Sequence, residues 1–164
     1  MISEYPINPI GVFMSLSFAV LVTALLFGGM TLYSFGFAAF LFSALPAPTA
    51  GLALRKAFPW FYLFVIGTSI ASAMLWWPHN RAGTFMMVAV ALTTLFARQI
   101  LMPAINRATD AGMKQRFKWL HGLSVMVTLG HIGASGWLLF QVVWAAIDLA
   151  MYLLLRFLQV KAKI

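Results

Sequence analysis

The sequence predicts an all-α integral membrane protein: a four-helix transmembrane bundle over residues 1–140 and a C-terminal amphipathic helix over 141–164, with a fifth span as the alternative for that last stretch. Three observations predict this. The 164 residues are 63% hydrophobic and only 9% charged, with a mean hydropathy of +0.94, whereas a soluble domain carries about a quarter charged residues. Apolar stretches near or above the roughly 20 residues that cross a bilayer recur along the chain, divided by short Pro- and Gly-containing links. The positive charges gather in those links, and five of the eleven Lys and Arg fall between Arg98 and Lys118. So few charges cannot build a water-facing surface, and the apolar excess calls for lipid.

Segment one spans about 12–45 and contains no charged residue. It is longer than a bilayer needs, so it must tilt, bend or protrude. Gly28-Gly29 is the expected bend, and Ala24 with Gly28 forms a small-xxx-small pair suited to helix packing. Pro46, Pro48 and Gly51 break the helix, and a link carrying Arg55 and Lys56 leads to Phe58-Pro59. Pro is tolerated in a first helical turn, so Pro59 is expected to start segment two, about 60–77. Trp60 and Tyr62 at one end, and Trp76 and Trp77 at the other, read as interfacial anchors. Pro78 to Arg81 form a turn. Segment three runs over about 83–101 and ends near Pro103; segment four covers about 119–140.

The tail from Gln141 has no Pro or Gly to mark a turn. Asp148, Tyr152, Arg156, Gln159 and Lys163 fall within about 80° of one another on a helix, with Leu149, Leu153, Phe157 and Val160 opposite. That pattern suits a helix lying in the interface or continuing segment four, with Asp148, Tyr152 and Arg156 available to a partner. In a fifth span, Asp148 would face protein.

The links set the orientation. Arg55 and Lys56 lie between segments one and two, and Arg107, Lys114, Arg116 and Lys118 between three and four, against Arg81 alone between two and three. The positive-inside rule then makes links 46–58 and 103–118 cytoplasmic and the N-terminus external, as expected for a bacterial inner-membrane protein. Arg156, Lys161 and Lys163 would be external with four spans and internal with five, which is the strongest point for a fifth. The net charge of +8 is explained by topology and anionic headgroups, not by nucleic acid. No Cys is present, which excludes disulfides, thiolate metal sites and thiol nucleophiles. MISEYPINPIG has no basic region or cleavage motif, so the first helix is read as retained.

Chemistry-bearing residues concentrate in segment four. His121, Ser124, Thr128, His131 and Ser135 fall within about 80° of arc, and polar groups in hydrocarbon turn toward other helices or a wet cavity. Gly122, Gly133 and Gly136 occupy a neighbouring face open to close approach. These features predict that segment four is central to the bundle. Its polar stripe serves either backbone hydrogen bonding or an ion, proton or small-molecule path. His121 and His131 stand about 15 Å apart along a straight helix and cannot share one metal ion. No metal site or cofactor is predicted, and haem or copper handling ranks last. Arg98, near the end of segment three, either snorkels to headgroups or pairs with a polar group near His121. Paired carboxylates, a glycine-rich phosphate loop and a Ser-His-acid set are all missing from the sequence, and a lone Asp148 is thin support for catalysis.

LRKAFPWFY at 54–62, FARQILMPAINRATDAG at 96–112, FKWLHGLSVMVTLGH at 117–131 and FGGMTLYSFGFAAFLFSALP in segment one resemble the transmembrane protein 205-like family, also called uncharacterised domain 4149, over about residues 16–140. The resemblance implies a small four-helix membrane protein without an established activity. Arg98, Pro103, His121, Gly122 and Ser124 match typical motif positions, while Thr128 stands where the family often has Asn. The leading expectation is a non-enzymatic accessory or structural subunit, or a partner-binding module, embedded in lipid with other membrane subunits. The alternatives are a small transporter using the polar stripe, then a haem- or copper-handling oxidoreductase.

Overall fold

A computed structural model describes residues 9–161. Readings that fall on residues 1–8 and on Lys163 lie outside the described residues. The described chain is helical except at three breaks, and four of its helical rods are long and apolar enough to cross a membrane: Ile10–Ala44, Ala47–Trp76, Arg81–Asp110 and Lys114–Gln159. The protein is therefore an all-α integral membrane protein.

The first rod joins α1 (Pro9–Thr31), a π-helical turn (Leu32–Phe37) and α2 (Ala38–Ala44). The irregularity sits one turn beyond the expected Gly28-Gly29 bend. Gly29 instead permits close approach, because a Cβ there would lie 2.6 Å from the Phe64 ring. A π turn carries one more residue than an α turn and rotates the register. It brings Tyr33 to 5.1 Å from Phe37 and stacks it on Phe61 at 4.1 Å.

The second rod, α3 (Ala47–Trp76), starts earlier than expected. Pro46 is its extended N-cap and Pro48 lies in its first turn, where a missing N–H costs nothing. The expected link over 46–58 is thus almost wholly helix. Pro59 lies inside α3 and removes the bond to the Arg55 carbonyl. The third rod joins α4 (Arg81–Phe96), a second π turn (Ala97–Leu101) and α5 (Met102–Asp110). Asn80 caps it, accepting a hydrogen bond from the Gly83 N–H at 2.9 Å. Pro103 does not end this rod. It falls in the first turn of α5, after a π turn that has already shifted the hydrogen-bond register. Gly112, at φ +65°, terminates the rod, a conformation that suits glycine because it lacks a Cβ.

The fourth rod, α6 (Lys114–Lys161), has 48 residues without a break, roughly 70 Å at 1.5 Å per residue. The tail after Gln141 continues segment four in the same helix.

The rods pack as a square, with α1 against α3 and α6, and α4 against the same two. α6 is the least buried rod, contrary to its expected central place. Polar ties join neighbours at different depths. Thr23 Oγ1 donates to the Ala19 carbonyl at 2.7 Å, contacts Ser72 Oγ at 2.7 Å and accepts from Trp76 Nε1 at 2.9 Å. Trp76 is therefore core, 2% exposed, and not an interfacial anchor; Thr23 across the helix contact supplies the indole's acceptor. Tyr62 is likewise buried, while Trp60 and Trp77 face outward. Ser15 Oγ meets His79 Nε2 at 2.9 Å at the same end. At the opposite, basic end, Arg55 donates two hydrogen bonds to Asp110, at 2.6 and 2.8 Å.

A small axial cavity as the candidate functional site

The square packing leaves a small cavity on the bundle axis, lined from all four rods. Met30 comes from α1, Tyr62 and Val65 from α3, Thr94 and Ala97 from the third rod, and Ser124, Thr128 and His131 from α6. Its free volume is about 10 Å³, room for the centre of one water molecule and no more.

Each polar group on this axis lies within hydrogen-bond distance of a neighbour. His131 Nε2 meets Thr93 Oγ1 at 2.7 Å, and Nδ1 meets Thr94 Oγ1 at 3.4 Å. The two threonines also donate to the Ala89 and Val90 carbonyls, at 2.6 and 2.7 Å. Thr128 donates to the Ser124 carbonyl at 3.0 Å, and Ser135 to the His131 carbonyl at 2.9 Å. The Ser124 hydroxyl lies beside the Tyr62 phenol. Back-bonding of this kind is the common use of Ser and Thr within helices.

The structure thus brings Ser124, Thr128 and His131 together on the axis. His121 lies outside that group, exposed and stacked on Phe117 at 5.4 Å between centroids. Arg98 sits on the second π turn, half-buried, and its Nε is enclosed without a hydrogen-bond partner. The Tyr33 hydroxyl, on the first π turn, is also enclosed without a partner. π turns inside α-helices recur at functional sites, and here each carries one of these two orphaned polar atoms. Among the described residues, no three His, Asp or Glu side chains gather where they could hold a metal ion.

The positions expected to pack helices divide. Gly136 meets the Phe27 ring, at 3.0 Å from a notional Cβ, whereas Gly28, Gly122 and Gly133 face open space. Ala24 is exposed. The tight glycine contacts are Gly29 on Phe64 and Gly83 on Leu138, neither flagged by the small-xxx-small pattern. Asp148, Tyr152 and Arg156 are exposed along the free part of α6. The sequence reading also missed Thr23 and Ser72. A signal existed, because Ser69, Ser72 and Trp76 recur at helical spacing with Tyr62 and Val65 on one face of segment two. Between α3 and α4 lies an open apolar groove of about 550 Å³, lined by Met74, Trp77, Phe85 and Leu92 among others.

Four apolar rods around a nearly filled axis define a small polytopic helical membrane protein. A family of unknown function, DUF4149, matches residues 21–114. That is more than half of the chain, so the protein belongs to this family. The match runs from within the first rod to the end of the third and stops where α6 begins, so Phe117 to Ser124 lie beyond it. No curated protein matches the chain, and no solved structure does.

Proposed function

We propose that this chain is a non-enzymatic subunit or partner-binding module of a membrane assembly, and that the C-terminal half of α6 is its docking element. The observation that carries this reading is the length and coating of α6. Between Lys118 and Arg156 its only charged residue is Asp148. That apolar run would extend over about 55 Å, against a hydrocarbon thickness of about 30 Å. Past Phe140, Val143, Trp144, Ile147, Leu149, Leu153, Leu154, Phe157 and Leu158 are all about half exposed. A helix whose exposed surface is apolar outside one narrow face, that of Asp148, Tyr152 and Arg156, belongs in lipid or inside a protein bundle, and one rod without a turn does not fold back through the membrane. Docking on another membrane subunit covers those side chains and places Asp148 and Arg156 against partner groups. In this reading the basic end, with Arg55, Lys56, Arg107 and Lys114, faces the cytoplasm, the N-terminus lies outside, and the membrane is a bacterial inner membrane.

Photo-crosslinkers at Leu153 and at Leu92, the latter on the groove between α3 and α4, test this in intact membranes. A protein adduct at Leu153 that is lost when Asp148 and Arg156 are both replaced by Leu, with the probe kept at Leu153, is the expected result. Adducts with lipid alone at both sites would remove the docking role.

The axial cavity favours a second reading, a small transporter. Tyr62, Ser124, Thr128 and His131 would then line the path of a water-sized or smaller species. The cavity's size and the paired state of its polar groups weigh for the first reading.

A further inference from the structure

We infer that Arg98 is the anchor of a phosphate-oxyanion site in the membrane leaflet at the basic end of the bundle, and that its occupant is the phosphodiester of an anionic phospholipid. The argument starts from the fate of each cation. Among the described Lys and Arg, only Arg55 and Arg98 are half-buried; the others are exposed. Arg55 has a carboxylate, Asp110, on two of its nitrogens. Arg81, at the far end, lies over the Trp77 ring at 3.6 Å. Arg98 has no hydrogen bond, ion pair or ring contact among the described residues.

Among the described residues, no carboxylate is left to pair with it. Of the three acidic residues in the sequence, Asp110 is taken and Glu4 lies outside the described residues. Asp148 lies on the free stretch of α6, beyond the bundle. It is 17 residues past His131, the residue level with Thr93 and Thr94, or about 25 Å farther from the basic end.

Arg98 also sits at a telling depth. α5 is strongly amphipathic and polar, with Asn106, Arg107, Thr109 and Asp110, so the hydrocarbon edge falls near Met102. Arg98 lies four residues inside that edge, about 6 Å along the axis. An extended Arg side chain covers that distance and reaches headgroup phosphates by snorkelling. Nε is enclosed by protein, the terminal nitrogens are not, and the residue as a whole is half-buried. A guanidinium presents those nitrogens as a planar fork that matches two phosphate oxygens. The cost of an unpaired cation in hydrocarbon is high, and a phosphate drawn to this notch removes it.

The test is native mass spectrometry of the full chain in mild non-ionic detergent, titrated separately with phosphatidylglycerol and with inorganic phosphate. The wild type is expected to retain one phosphatidylglycerol, and Arg98→Gln to lower its affinity about tenfold, the loss of one charge-assisted contact. Arg116→Gln, an exposed basic control, is expected to leave it unchanged. Displacement of the lipid by inorganic phosphate at matched concentration would assign the same oxyanion site to free phosphate. Equal retention by wild type and Arg98→Gln, with no effect of phosphate, overturns the proposal. If Arg98→Gln fails to fold, 15N–31P recoupling on the wild type in phosphatidylglycerol bilayers decides, with the Arg98 guanidinium assigned through Ala97 and Gln99. Dephasing by lipid phosphorus supports the site, and its absence refutes it.

Discussion

Thr23→Val is the sharpest probe of what joins the first two rods. Thr23 is fully buried and its hydroxyl serves three groups: it donates to the Ala19 carbonyl, meets Ser72 Oγ and accepts from the Trp76 indole. Valine keeps the shape and deletes the hydroxyl. The Ala19 carbonyl keeps its helical N–H donor, and Ser72 can rotate to its own helix backbone. The Trp76 indole N–H has no such recourse, because Trp76 is 2% exposed and an indole nitrogen only donates. An orphaned buried donor costs about 1–3 kcal/mol. Interhelical hydrogen bonds in membranes average about 0.6 kcal/mol because the unfolded state also finds partners. The expected loss is therefore about 1–2 kcal/mol, with Thr23→Ser losing less because it retains the hydroxyl. Steric-trapping unfolding in bicelles measures this, and a double-mutant cycle with Trp76→Phe isolates the pair. A Thr23→Val variant as stable as wild type, or a cycle with no coupling, refutes the claim that this tie holds α1 to α3.

Other substitutions separate real contacts from apparent ones. His131→Leu is expected to cost less than about 1 kcal/mol by the same assay, since Thr93 and Thr94 keep their backbone acceptors and nothing is orphaned. Gly83→Ala places a Cβ 2.8 Å from Leu138 Cδ1 and should destabilise by about 1–3 kcal/mol through overpacking. Gly122→Ala meets open space in the isolated chain and should be neutral or stabilising by up to about 1 kcal/mol through helix propensity; a loss there would reveal a partner on that face. Asn80→Ala removes the cap on Gly83 N–H and should lower stability by about 1 kcal/mol.

The apolar runs alone specified four rods, because length and hydropathy are sufficient in lipid. Their ends were harder to read. A proline in a first helical turn and one inside a helix look alike in sequence, so Pro59 and Pro103 read as boundaries although Pro48 and Gly112 mark them. Trp76 and Trp77 are adjacent and chemically identical; only Thr23, 53 residues away, makes one of them core. The polar stripe was legible as a face, but its depth was not. His121 shares the arc with His131, yet it lies about 15 Å nearer the basic end, where it stacks on Phe117 instead of meeting another helix. Arg98 was legible as an oddity, but its lack of a partner required the positions of Asp110 and Arg55.

The distribution of satisfied polar groups gives the bundle a direction. At the end near the Trp77–Asn80 turn, the polar side chains Ser15, His79, Thr23, Ser72, Trp76 and Asn80 are tied to one another or to backbone. Midway, His131 and its threonines close the axis around a volume of one water. In the basic half the pattern changes: the contact between the first two rods becomes a stack of Tyr33, Phe58, Phe61 and Tyr62, both π turns occur there, and both enclosed atoms without partners, Tyr33 Oη and Arg98 Nε, lie on them. A membrane protein keeps an unpaired polar group in hydrocarbon only where something outside the chain completes it or where the local backbone can rearrange. Internally satisfied polar contacts are therefore concentrated in one half of the bundle, and the docking and phosphate-site proposals fall on the other half and on the free length of α6, the two places where the chain alone leaves its chemistry unfinished.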